Sequence, residues 1–158
     1  MQCFEGPMDA ITDTVALVLA AGKGTRMDGD MPKVLVHLDG KPLLAYILAA
    51  LQKAGFSPEQ IVAVVGYKYD EVLAFLGDAY PWALQKEQLG TGHAVLAARN
   101  ALQAFDGTVM VLYGDVPLLT DDIIRGFRQA HAAGGAVCSV LTAELEEPAG
   151  YSGDCGRT

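Results

Sequence analysis

Cysteine is scarce in this chain. Cys3, Cys138 and Cys155 are the only three in 158 residues, and their spacing offers neither a disulfide framework nor a metal-ligand pattern. A reduced, cytoplasmic setting is therefore expected. Positive charge is scarce too: Lys and Arg number 11 against 19 Asp and Glu. A formal net charge of −8 argues against nucleic acid or an anionic membrane as partner. No apolar run is long enough to span a bilayer. The opening residues MQCFEGPMDAITD lack the basic and apolar regions of a signal peptide, and residues 1–13 read as a loose extension. Internal repeats, low-complexity tracts and linkers are missing as well. What remains is one domain's worth of sequence, 51% hydrophobic and long enough for a real core.

Within that acidic chain, short apolar runs alternate with helical patterns. Strands are predicted at Val15–Leu19, Ile61–Val65, Val109–Tyr113 and Ala136–Leu141, with a short one at Trp82–Gln85. Helices are predicted at Leu43–Lys53, ended by Gly55, and at Asp70–Phe75 and Thr91–Gln103. A further helix, Asp121–Ala133, has Thr120 as N-cap, two aspartates in its first turn, and Gly134-Gly135 as its stop. This rhythm implies an α/β fold: a Rossmann-like, mostly parallel sheet with helices on both faces. Ligands of such sheets sit beyond the carboxyl ends of the strands. The segments to inspect are Ala20–Lys33, Gly66–Tyr67, Gly114–Leu118 and the stretch after Leu141.

The first of these carries the strongest signal. Leu19 to Lys33 reads LAAGKGTRMDGDMPK, and it concentrates Lys23, Arg26 and Lys33 in a chain with few cations. Glycines let backbone N–H groups approach phosphate oxygens, and cationic side chains neutralise the remaining charge. The spacing is not that of a Walker loop, which needs Gly-Lys-Ser/Thr, nor of a dinucleotide fingerprint, which needs glycine where Met27 stands. It is a phosphate loop of another kind, with the backbone of Ala21 to Gly24 as cradle. Arg26 can clamp phosphate bidentately, while Lys33, stiffened by Pro32, acts as a mobile point charge. A solvated charged loop is the plain alternative.

Two more segments carry chemistry. Tyr113-Gly114-Asp115-Val116-Pro117 follows a predicted strand, and a carboxylate there is the oxygen ligand that Mg²⁺ prefers. Taken alone, Asp115 before Val-Pro reads as a turn residue; the phosphate loop one strand-end away favours the metal. Gln85-Lys86-Glu87-Gln88-Leu89-Gly90-Thr91-Gly92-His93 runs into a helix with Thr91 as apparent N-cap. Its functional reading is a base pocket, in which the Gln85 amide bonds the N3–O4 edge of uracil at two points. A glutamine amide can turn over to serve cytosine, which leaves discrimination to backbone groups near Gly90. His93 lacks a nucleophilic partner and is assigned no catalytic role, and no covalent nucleophile is evident.

The motifs LAAGKGTRM with PKVL, QKEQLGTGHAV, LYGDVPLL and EPAGY, in this order, resemble the bacterial N-acetylglucosamine-1-phosphate uridylyltransferases. These form the N-terminal half of bifunctional enzymes that also acetylate glucosamine-1-phosphate. The likeness covers Thr14 to Tyr151, so residues 14–151 read as a partial nucleotidyltransferase domain and 152–158 as an atypical tail. GxGTRM with a downstream PK is common to many sugar nucleotidyltransferases, whereas EQLGTGHA with YGDVPL is more specific. By position, the resemblance implies that Leu19, Ala20, Ala21 and Gly22 line the nucleotide, with Arg26 and Lys33 on its phosphates. Gln85, Gly90 and Thr91 would hold uracil, Tyr113 and Gly114 would flank the ligand, Asp115 would bind Mg²⁺, and Gly150 would approach the sugar. The implied reaction joins UTP and N-acetylglucosamine-1-phosphate into the UDP-sugar and pyrophosphate, for cell-wall precursor synthesis.

The resemblance also marks a departure. Relatives follow the tyrosine directly with Gly-Arg, whereas here Ser152-Gly153-Asp154-Cys155 intervene before Gly156-Arg157. The family's second metal ligand, an asparagine, and its main sugar contacts lie further on. So does the acetyltransferase half, through which the family forms homo-oligomers. A nucleotide half with little of the sugar half is therefore expected. The alternatives are a non-catalytic nucleotide-binding fragment and another nucleotidyltransferase, such as one acting on molybdopterin.

Overall fold

The computed structural model describes residues 13–24, 30–103 and 105–143. The extension and tail expected at residues 1–13 and 152–158 therefore fall, but for Asp13, outside the described residues, as do Arg26 and Gly150.

Four strands form one parallel sheet: β1 (Thr14–Ala20), β4 (Ile61–Val65), β5 (Trp82–Leu84) and β6 (Thr108–Tyr113), in the order β5-β4-β1-β6. Every residue of β1 and β4 is buried, as parallel strands covered on both faces must be. Their runs TVALVLA and IVAVV are correspondingly apolar throughout rather than alternating. A two-residue hairpin, β2 (His37–Leu38) with β3 (Lys41–Pro42), stands apart from the sheet. Its turn is Asp39-Gly40, both at positive φ, so the Asp-Gly hairpin signal was present in the sequence and went unread.

Two cores flank the sheet. On one face Ala16, Val18, Ile61, Ala63, Met110 and Leu112 pack against α1 (Leu43–Lys53), α2 (Tyr69–Leu76) and α4 (Asp121–Gly134). On the other, Val15, Leu17, Val62 and Val64 pack against α3 (Thr91–Ala97) and the turn after it. The α1 residues Leu44, Ile47, Leu48 and Leu51 recur at the three- and four-residue spacing of one helix face, and all are buried. Thr120 caps α4 by accepting a hydrogen bond from the Ile123 N–H at 3.4 Å. Arg125 then ties α4 to α1 by donating to the Lys53 carbonyl at 2.9 Å.

Three expectations change. Ala136–Leu141 forms no strand: Val137, Val140 and Leu141 are exposed, and the segment is held to α4 through His131 and Ser139 at 2.9 Å. Apolar, β-branched composition is insufficient without a neighbouring ladder to pair with. The helix expected over Thr91–Gln103 stops at Ala97, because Ala98 and Arg99 bond to carbonyls three residues back and tighten the chain into turns through Gln103. Thr91 is the first helical residue of α3, and Gly90 takes the N-cap position instead.

Candidate functional site

The strand order reverses at β1: β4 and β5 lie to one side of it and β6 to the other. A crevice opens where the chains leaving β1 and β6 diverge. The strand ladder extends past the strand ends and fixes what stands around that crevice. The Gly114 N–H donates to the Leu19 carbonyl at 2.9 Å, that of Tyr67 to Ala21 at 3.1 Å, and that of Gln85 to Val65 at 2.8 Å. The segments after all four strands thereby come to one edge of the sheet.

There they enclose a cavity of about 250 Å³. Leu19, Ala21 and Gly22 line it from the end of β1 and the loop after it, Tyr113 and Asp115 from the end of β6 and the turn after it, Lys33 from the loop between β1 and α1, and Gln85, Gly90 and Thr91 from the segment entering α3. Nine of the residues singled out in the sequence thus share one cavity. Ala20 and Gly114 do not line it. Ala20 is buried in the core on the opposite face, and Gly114 is packed so that an added Cβ would lie 3.1 Å from the Leu19 carbonyl oxygen. A wider groove of about 780 Å³ runs along α3 past Leu96, Arg99 and Gln103, and none of the described sequence-derived site residues lines it.

Lys33 and Asp115 are paired across the cavity, with 43% and 22% of their side chains exposed. The pair is half-open to water, so each partner is available to a ligand that offers it a better counter-charge.

The base-pocket segment is more tightly built. Gln85 is 4% exposed. Its Nε2 donates to the Gly90 carbonyl at 3.1 Å and lies 3.1 Å from Nδ1 of His93. The Gly90 carbonyl also accepts the Ala94 N–H at 3.1 Å, which uses both of its lone pairs. Gly90 holds φ at 103°, a conformation only glycine adopts readily, and this orients its carbonyl toward both donors. The two-point Gln85 contact expected for uracil therefore does not match this arrangement: both amide hydrogens are used within the chain, and one acceptor oxygen remains.

Val34, Gln88 and Ala94 line the cavity without having been singled out. Gln88 lay within the motif already quoted. Val34 and Ala94 carry no chemical signal, and only the fold brings them there. Nearby, Asp30 re-enters the described chain after residues 25–29 and is clamped. Tyr67 Oη donates to Asp30 Oδ1 at 2.7 Å, while Lys68 Nζ pairs with Asp30 Oδ2 at 2.7 Å and with Glu71 at 3.3 Å. Lys23 Nζ sits 5.2 Å from the Tyr67 ring centroid, which ties the other side of the loop to the same tyrosine. The hydrogen bond from Lys68 leads in holding the Asp30 carboxyl below its usual range, and the same contact raises Lys68. The hydrogen bond that Tyr67 donates to the Asp30 carboxylate raises the Tyr67 hydroxyl above its ordinary range.

No helix among the described residues is long and apolar enough to cross a membrane. Bifunctional protein GlmU of Geobacter metallireducens is 48% identical over 141 residues, 88% of this chain and 29% of that protein. The GlmU of Syntrophotalea carbinolica is 49% identical over 140 residues, 88% of this chain and 30% of that protein. The chain thus spans about three tenths of the length of these curated relatives. Among solved structures, the UDP-glucose pyrophosphorylase of Acinetobacter baumanii superposes with a TM-score of 0.62 at 22% identity, covering 78% of this chain and 54% of that one. That likeness concerns the fold alone, a parallel α/β sheet. A profile described as the MobA-like NTP transferase domain matches residues 16–158, and the chain belongs to that family of nucleotidyltransferases.

Proposed function

We propose that this chain is the nucleotide-binding part of a sugar-1-phosphate uridylyltransferase, which forms UDP-N-acetylglucosamine and pyrophosphate from UTP and N-acetylglucosamine-1-phosphate. The observation that carries the reading is the cavity at the strand-order reversal. It joins a glycine loop, a lysine, a carboxylate and the Gln85–Thr91 segment. The kinship with GlmU relatives points to the same sugar nucleotide.

In the proposed reaction an oxygen of the sugar phosphate attacks the α-phosphorus of UTP. The bond from that phosphorus to the bridging oxygen breaks, and pyrophosphate leaves. No covalent enzyme intermediate forms. The chain's contribution is positioning and charge neutralisation. Ala21 and Gly22 bring backbone close to the phosphates, Lys33 and Arg26 counter their charge, and Tyr113 closes one wall. Ala20 and Gly114 act through the backbone beneath the ligand, and Gly150 is the proposed approach to the sugar.

Asp115 suits Mg²⁺. Among the described residues no group of three His, Cys, Asp or Glu side chains converges as an all-protein metal cage. Asp115 instead offers one carboxylate at the cavity wall, where its partner Lys33 is displaceable. Mg²⁺ characteristically takes one or two carboxylates, water and phosphate oxygens. Bound there with the nucleotide, it would neutralise triphosphate charge.

The test is calorimetric titration with UTP, CTP and GTP, with and without Mg²⁺, followed by product analysis with N-acetylglucosamine-1-phosphate. Mg²⁺-dependent binding that prefers UTP supports the reading. A folded chain that binds none of the three refutes it.

A further inference from the structure

His93 sits on the first turn of α3, half-buried, and the function proposed above gives it nothing to do. Its contact with Gln85 is informative because the roles of the atoms can be assigned. The Gly90 carbonyl is only an acceptor, so the Gln85 atom 3.1 Å away must be the amide nitrogen. That nitrogen is only a donor. The His93 Nδ1 at 3.1 Å must then offer its lone pair, which places the imidazole proton on Nε2. The two amide hydrogens go to Gly90 and His93, and Oε1 has no hydrogen-bond partner among the described residues while Gln85 lines the cavity.

We propose that His93 is a specificity-determining positioning residue: it locks the Gln85 amide so that the cavity meets only the acceptor Oε1 and therefore selects a base bearing an imide-type N–H. This rests on the nucleotide reading of the cavity. Uracil N3–H donates to Oε1, whereas the bare N3 of cytosine would face it lone pair to lone pair. The Gly90 carbonyl cannot make this choice, because it is already filled by Ala94 and Gln85. A glutamine free to turn over would accept either pyrimidine. Gly90 and His93 together remove that freedom, and of the two only His93 does so with a replaceable side chain.

Two measurements on this chain test the lock and its consequence separately. The first is nitrogen-15 correlation NMR of the ligand-free protein at neutral pH. It should show His93 as the Nε2–H tautomer and slowly exchanging Gln85 side-chain amide protons. An Nδ1–H tautomer overturns the lock whatever the chain binds. The second is titration with UTP and CTP of the wild type, His93→Phe and His93→Asn. Phe fills the space without an acceptor, and the preference for UTP should fall roughly tenfold, the value of one buried hydrogen bond. Asn can place Oδ1 where Nδ1 stood and should restore most of the preference. A folded His93→Phe chain with undiminished UTP preference overturns the specificity role. A wild type that shows the Nε2–H tautomer but binds neither nucleotide overturns the nucleotide reading, and the specificity role with it.

Discussion

Replacing Asp115 by Asn separates the two halves of the cavity's charge, and the structure sets the size of the effect. Lys33 and Asp115 are paired in the ligand-free cavity, yet both remain partly exposed, so the pair is worth no more than about 1 kcal/mol. Binding a triphosphate through Lys33 must open that pair, at a cost of at most about fivefold in affinity. Asp115→Asn removes this cost and also the repulsion between carboxylate and phosphate. UTP affinity measured in a chelator should therefore rise a few-fold, while the gain on adding Mg²⁺ should largely vanish. Lys33→Ala works the other way. A charge-assisted phosphate contact contributes roughly 1.5–3 kcal/mol, from which the opening of the pair must be subtracted. The single variant should lose about two- to a hundredfold. In the Asp115→Asn background the same substitution should cost more, by up to about 1 kcal/mol, because no pair is left to break. Calorimetric titration of the four chains, with chelator and with Mg²⁺, reads all of these terms. Metal-free affinity that falls on Asp115→Asn, or a Mg²⁺ gain that survives it, would refute the reasoning.

Gly66→Ala places a Cβ 2.8 Å from the Ala21 Cβ and 3.1 Å from its carbonyl oxygen. The phosphate loop must shift, so urea unfolding should show a loss of roughly 1–3 kcal/mol, and UTP binding should weaken; a variant unchanged in both would count against this packing. The folded Asp30 carboxyl lies below its ordinary range, so its stabilising contribution is complete above an unfolded carboxylate value of about 3.9 and is lost as pH falls through the depressed folded one. Lys68 is raised, so its contribution holds below its ordinary value of about 10.4 and disappears as pH rises through the folded one. The thermal midpoint of the wild type should fall more on acidification than that of Asp30→Asn, and superimposable profiles would exclude the clamp. Thr120→Ala removes the α4 cap seen at 3.4 Å and should cost about 1 kcal/mol in denaturant unfolding, with UTP binding unaffected.

Much of this molecule was legible in the sequence because the signals are local. Buried parallel strands need continuous apolar runs, so β1 and β4 stood out. Helix α1 showed its face through Leu44, Ile47, Leu48 and Leu51, and Thr120 and Gly135 marked the ends of α4. The phosphate loop was recognisable because glycine and cationic residues must sit close in sequence to act together. What tertiary structure alone decided is relational. Strand order put the ends of β1 and β6 side by side and so brought Lys33 to Asp115, more than eighty positions away in the chain. Ala136–Leu141 had the composition of a strand, but a strand exists only with a partner to complete its ladder. The Gln85 amide was ambiguous as a residue type, and it acquired a direction only when folding set the Gly90 carbonyl and His93 Nδ1 against its nitrogen. Residue type states which hydrogen bonds a side chain can make; the fold determines which of them are already used.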